Sequence, residues 1–216
     1  GEWDEADDDD DDESDESNVR SLGCALLDTL GAAISSAPLM GHVDTALQRL
    51  TAEGADAHTW CAACTVLGMV AEGIVDLLAE KKTGAPRLAA YVQLLCRGCL
   101  HADAHVRAAA ALGLGEFARH IPSKLLVRPH AASVIGHLAA VIDASAPHVG
   151  LGGGAAAEGA GLHVRALDKV CYALDALCES AAGADETDAI VPHAPELLSR
   201  LGTLCAAPRV PAAARA

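Results

Sequence analysis

One apolar pattern occurs four times along the 216 residues, and it restricts the chain to a repeated helical hairpin. The pattern superposes on Leu27, Leu67, Leu114 and Leu174. Four positions earlier stand Gly23, Ala63, Ala110 and Val170, small or β-branched residues. Three positions later come Leu30, Val70, Phe117 and Leu177; seven later come Ile34, Ile74, Ile121 and Ala181. Offsets of −4, 0, +3 and +7 fall on one face of an α-helix and on no single face of a strand.

Each of these segments is followed by a second one-sided stripe at i, i+4 and i+7. The four are Val43, Leu47, Leu50; Leu88, Val92, Leu95; Val134, Leu138, Val141; and Leu197, Leu201, Leu204. Pro38, Pro86, Pro122 and Pro192 fall in the connections, where helices break or begin. The anchor leucines are 40, 47 and 60 residues apart. Units of HEAT or armadillo type run at roughly 40–47 residues. The long last interval contains a Gly- and Ala-rich stretch, 147–161, whose removal leaves 45. The expectation is therefore all-α: a right-handed α-α superhelix of HEAT or armadillo type with about four helical hairpins. The repeats are placed at 18–54, 56–102, 103–146 and 162–206, with a flexible insertion at 147–161. Residues 207–216 read as a tail into a further repeat, and with a start at Gly1 rather than Met the chain is expected to be a fragment.

Composition agrees with close helix packing. Hydrophobic residues make up 51% of the chain but aromatic residues only 2%, so Ala, Leu and Val must fill the core. Ala and Leu lose little entropy in a helix. Charge is unevenly placed. The net charge is −15, yet residues 1–17 hold 12 of the 30 acids and no Lys or Arg, leaving 18 acids against 15 bases elsewhere. That first segment repels itself and is expected to be disordered. A nearly neutral body with one acidic run speaks against direct nucleic-acid binding, which needs a basic stripe. It favours a basic protein partner.

The chemistry-bearing motifs lead to no enzyme. Cys61-x-x-Cys64 and Cys96-x-x-Cys99 have 31 residues between the pairs, beyond the spacing of common zinc ribbons, and both lie within helical patterns. Eight Cys with no signal peptide read as small hydrophobes of a reduced, intracellular protein. His101 and His105 are spaced i, i+4 but have no HExxH-type Glu. Gly150-Leu151-Gly152-Gly153-Gly154 has neither the Lys-Ser/Thr of a P-loop nor a strand before it. No apolar run reaches the length of a membrane span. We therefore expect no catalytic residues, cofactor or metal. The polar faces of the second helices, which line the concave side of such stacks, present Asp44, Gln48, Gln93, Arg97, Glu196 and Arg200 as candidate contacts, although exposed polar residues on a helix are mostly just solvated.

Four segments carry a family resemblance. Trp3 and the acidic run precede Asn18-Val19-Arg20. Ala62-Ala63-Cys64-Thr65-Val66-Leu67-Gly68 ends in Ala71-Glu72-Gly73. Asp103-Ala104-His105-Val106-Arg107-Ala108-Ala109-Ala110 continues to Leu114-Gly115-Glu116-Phe117-Ala118. The most specific is Cys171-Tyr172-Ala173-Leu174-Asp175-Ala176-Leu177-Cys178-Glu179. In this order, over nearly the whole chain, they resemble the importin-β (karyopherin-β) family of nuclear transport receptors, in its importin-4-like branch. Trp60 stands where that family has a basic residue, the 147–161 insertion is longer, and the family's amino-terminal Ran-binding repeats are absent.

The resemblance implies a function and partners. The acidic run, Asp7, Asp8, Asp9, Asp10, Asp11, Asp12, Glu13, Asp15 and Glu16, would hold basic cargo such as ribosomal proteins, histones or nuclear localisation signals. Cargo would leave when the small GTPase Ran binds in its GTP form. Phe-Gly nucleoporins would bind between the outward-facing first helices. The protein would shuttle between cytoplasm and nucleus through the nuclear pore. Two other readings compete. A generic HEAT scaffold or regulatory subunit would have more regular repeats and no acidic run. A HEAT-like lyase or hydroxylase would need paired His-Glu motifs.

Overall fold

The computed structural model describes residues 21–27, 29–30, 33, 36–149 and 155–206. Among these the chain is all-helical, with no strand. Seven helices are labelled here: α1 (Ser36–Leu50), α2 (Ala57–Met69), α3 (Gly84–Cys99), α4 (Ala104–His120), α5 (Ser123–Ser145), α6 (Ala155–Gly183) and α7 (Ala194–Ala206). The described residues between 21 and 33 are helical as well.

Local chemistry sets several boundaries. Asp56 and Asp103 are the N-caps of α2 and α4, accepting bonds from the Thr59 and His105 amides at 2.8 and 2.7 Å. Pro122 sits at the N-cap of α5, and Pro38 and Pro86 fall in the first turns of α1 and α3, where no amide is missed. After α6 the chain turns through Asp185, at φ 56°, while the Glu186 amide donates back to the Ala181 carbonyl at 2.8 Å. That is a Schellman ending, with Asp where Gly is usual.

The packing follows the two sets of stripes. The first-stripe helices α2, α4 and α6 pack side by side, α4 against both neighbours. The second-stripe helices α3, α5 and α7 pack in the same order, and α3, α5 and α4 lock the two sets together. The stripe positions are where the core is. Ala63, Leu67, Val70 and Ile74 are fully buried, as are Ala110, Leu114, Phe117 and Ile121. In α6, Val170, Leu177 and Ala181 are buried while Leu174 is half-buried. Leu88, Val92 and Leu95, and Val134, Leu138 and Val141, are buried from the other side.

Three details differ from the sequence reading. The first helix of the second unit is not straight: it stops at Met69 and resumes through a 3-10 turn at Glu72–Ile74, bent by 64°. The bend falls beside Gly73, a poor helix former, and Ile74 stays in the core beyond it. Residues 155–161, read as insertion, form the first two turns of α6. Finally, one stretch, Ser123–His148, is long and apolar enough to cross a membrane by length and composition. Half of its most apolar window is buried by neighbouring helices, and Lys124, Arg128 and Asp143 stand exposed on it.

Candidate protein-binding surfaces

The acidic residues read as cargo-binding, Asp7 to Asp12 with Glu13, Asp15 and Glu16, lie outside the described residues. The structure does place the six second-helix residues, and four of them are engaged within the protein. Asp44 accepts a bond from the Tyr91 hydroxyl at 2.5 Å and pairs with Arg87 at 3.4 Å, tying α1 to α3. Burial, reinforced by Asp44, pushes the Tyr91 phenol above its usual range. The Arg97 guanidinium lies over the Trp60 ring at 5.5 Å, a cation–π contact between α3 and α2. Arg200 donates to Asp143 of α5 at 2.9 Å and to Glu196 one turn earlier. These side chains join neighbouring helices. Gln48 and Gln93 remain exposed.

Two of the motifs singled out in the sequence meet at one seam. Gly115 and Glu116 of α4 face Tyr172 of α6. The Tyr172 hydroxyl donates to Glu116 Oε1 at 2.7 Å, and Arg119 lies 5.3 Å over its ring. Burial and the carboxylate together raise the Tyr172 phenol to about 12. Gly115 is required there, because a Cβ on it would come 2.6 Å from the ring.

A polar cluster sits where α4 begins. Arg107 is 5% exposed and donates to the carbonyls of His101 and Ala102 at 2.8 and 2.7 Å. Its Nη2 is 3.3 Å from His163 Nδ1 of α6, and its Nε has no hydrogen-bond partner among the described residues. His163 stacks on His148, ring centres 3.9 Å apart, and lies 3.4 Å from the buried Ser145 hydroxyl. Burial, then His148 and Arg107, hold the His163 imidazole below its usual range.

The cysteine pairs show packing chemistry. Burial pushes the Cys64 thiol up to about 12 and Cys96 to about 11, and raises Cys99 as well. Such thiols are poor nucleophiles and poor metal ligands. Among the described residues no group of three His, Cys, Asp or Glu is placed to hold a metal. His101 and His105 do not act together. His101 accepts from the Asp103 amide at 3.0 Å, while His105 faces the Asp103 carboxylate at 3.2 Å.

One concavity is a feature that sequence reasoning did not find. A groove of about 520 Å³ runs across the first-stripe helices, lined by the 21–27 segment, α2, α4 and α6. Leu27, Val66, Met69, Ala109, Leu112 and Leu162 form its apolar walls. Arg165 and Lys169 of α6 and His58 and His105 are also on its lining, and among the described residues no carboxylate lines it. Periodicity identified the inward faces of these helices. The groove belongs to their flanks, which show only when four helices are set side by side.

Comparison with protein-family models, with curated proteins and with solved structures finds no match for this chain.

Proposed function

We propose that the helices continue as a right-handed α-α superhelix of HEAT type, and that the chain is a segment of a nuclear import receptor that holds basic cargo. The observation that supports this best is the alternation of packing: first-stripe helices neighbour one another and second-stripe helices neighbour one another, hairpin after hairpin. A stack built this way has no single centre, so small rotations between units add along its length. The resemblance of the Tyr172 and Gly115 segments to the importin-β family, and the acidic run ahead of the first unit, supply the cargo class. In this reading Asp7 to Asp12, Glu13, Asp15 and Glu16 attract Lys- and Arg-rich proteins, and the intact receptor sheds them on binding Ran in its GTP form. The groove between first helices is where Phe-Gly nucleoporins would dock.

The test is a pull-down from cell extract using the full chain, with and without Ran locked in its GTP form. A second chain carries Ser and Asn in place of the acids of residues 7–16. Recovery of ribosomal proteins and histones by the first chain and its loss in the second is expected. Equal recovery by both chains overturns the cargo role. Recovery of an unrelated protein set by both favours a general assembly scaffold.

A further inference from the structure

Arg107, His163 and His148 stack three basic side chains where α4, α5 and α6 meet. Arg107 is buried and spends Nη1 on the carbonyls of His101 and Ala102. A guanidinium carries donors only. Its Nη2, 3.3 Å from His163 Nδ1, therefore fits one form of that ring: the neutral tautomer with a bare Nδ1 and its proton on Nε2. His148, itself exposed, covers the half-buried His163 ring face to face, 3.9 Å away with the planes 12° apart. A proton added at Nδ1 sets donor against donor at Arg107 and places a second charge beside the first. The Ser145 hydroxyl, 3.4 Å from the same nitrogen, is too far for a strong bond and has no charge to offer.

The charges on the surrounding elements are engaged elsewhere or turned away. Asp103 acts on Arg107, but its carboxylate caps α4 through the His105 amide at 2.7 Å and faces the His105 ring at 3.2 Å. His101 accepts from the Asp103 amide at 3.0 Å. On α5, Asp143 is held by Arg200 at 2.9 Å. Residues 149–154, between the two rings in sequence, contain no titratable side chain. On α6, Arg165 stands two positions past His163, about 200° round the helix, and Glu158 and Asp168 stand five positions to either side, about 140° round it. Asp168 pairs with Lys169 at 2.9 Å, and the Glu158 side chain lies outside the described residues.

The two rings fasten a strap that has little else to hold it. From 160 to 165 no side chain is sealed, and Ala166 is the first of α6 to be fully buried, followed by Val170 and Ala173. We propose that residues 146–165 are an acid-released strap: when His163 takes up a proton, the 3-10 turn at Ala146–His148 and the opening turns of α6 lift off the start of α4, while α6 stays docked from Ala166 onward. Opening uncovers Arg107 and Ser145 and frees one end of the seam between α4 and α6. In the closed form burial, then His148 and Arg107, hold the His163 imidazole below its usual range; in the open form it returns to about 6.5. The strap is therefore closed above about pH 6.5. Below that its opening constant rises by up to about tenfold per pH unit, until the lowered value of the closed form is reached. The strap stands independently of the import reading.

Amide hydrogen exchange on the full chain at pH 7.5 and 5.5, corrected for the intrinsic effect of pH, tests it. Protection of residues 156–165 should fall by up to about tenfold, while residues 170–181 of the same helix keep theirs. His163→Gln leaves Arg107 a neutral acceptor that cannot take a proton, so the strap should stay closed at both pH values. The exposed His42→Gln, on α1, should leave the acid opening as it was. With no substitution at all, the His163 ring resonances should titrate below 6.5 and the strap amides should shift at the same midpoint. Four results would overturn the proposal: an equal loss of protection at residues 170–181, a strap already unprotected at pH 7.5, acid opening that persists in His163→Gln, or strap amides that respond at a different midpoint from His163.

Discussion

Gly115 and Tyr172 sit against each other with no slack, and the cost of changing either falls on the contact between α4 and α6. A Gly115→Val chain must push the Tyr172 ring off the helix and break its 2.7 Å bond to Glu116. Overpacking of this kind costs about 1–3 kcal/mol, so the urea midpoint should fall with the slope unchanged. His163 makes a different prediction, in pH. Its imidazole titrates below the ordinary 6.5 in the folded chain, because burial, His148 and Arg107 disfavour the cation. The unfolded chain then binds the proton first, so stability falls as pH drops through about 6.5 toward the lowered folded value. His130, held down by burial alone, adds to the same trend. Asp56 and Asp103, whose carboxyls are held low by their N-cap bonds, lose their contribution only below about pH 4, a separate window. Urea titrations at pH 7.5 and 5.5 should show this loss, and His163→Gln should make it shallower. An unchanged slope in that variant removes His163 from the account.

At the level of whole helices, spacing alone revealed the stripes, because burial on one side of a helix imposes a 3.6-residue repeat that no loop imitates. Ala63, Leu67, Val70 and Ile74 were legible for that reason, and so were Leu88, Val92 and Leu95. The 64° bend after Met69 was not, since Ile74 keeps its place in the core on the far side and the pattern runs through unbroken. The start of α6 at Ala155 was hidden by composition: Ala is a strong helix former, but its glycine neighbours read as a break. The roles of Asp44, Arg97 and Arg200 were also hidden, because a polar residue looks solvent-facing until its partner on another helix is placed. The end of α6 offers a direct check. Asp185 holds φ 56°, a conformation that Gly adopts without the Cβ penalty. Asp185→Gly should raise stability by up to about 1 kcal/mol in denaturant unfolding; a loss would mean that the Asp side chain anchors this turn.

Across the molecule, burial of the stripes declines from the middle toward both ends. Leu114 and Leu138 are sealed, whereas Leu27, Leu30 and Leu50 at one end and Leu201 and Leu204 at the other are only half-covered. Where each unit leans on its neighbours, local stability should follow the same gradient. Amide hydrogen exchange should be slowest in α4 and the central part of α5 and fastest in α7. Leu114→Ala should cost about 2–5 kcal/mol, and Leu201→Ala much less. Equal costs at both sites would mean that the chain unfolds as one indivisible body.

The seam of small residues has a mechanical meaning. Where Gly68 meets Gly113, a Cβ on the first would stand 3.2 Å from the backbone of the second, and Gly115 leaves as little room before Tyr172 and Ala173. Main chains pressed this close have almost no compliance, so they behave as an axle. Any tilt of one hairpin on the next would swing about that line and be taken up at the opposite layer, where longer side chains such as Leu88, Leu95 and Leu138 stand between the main chains.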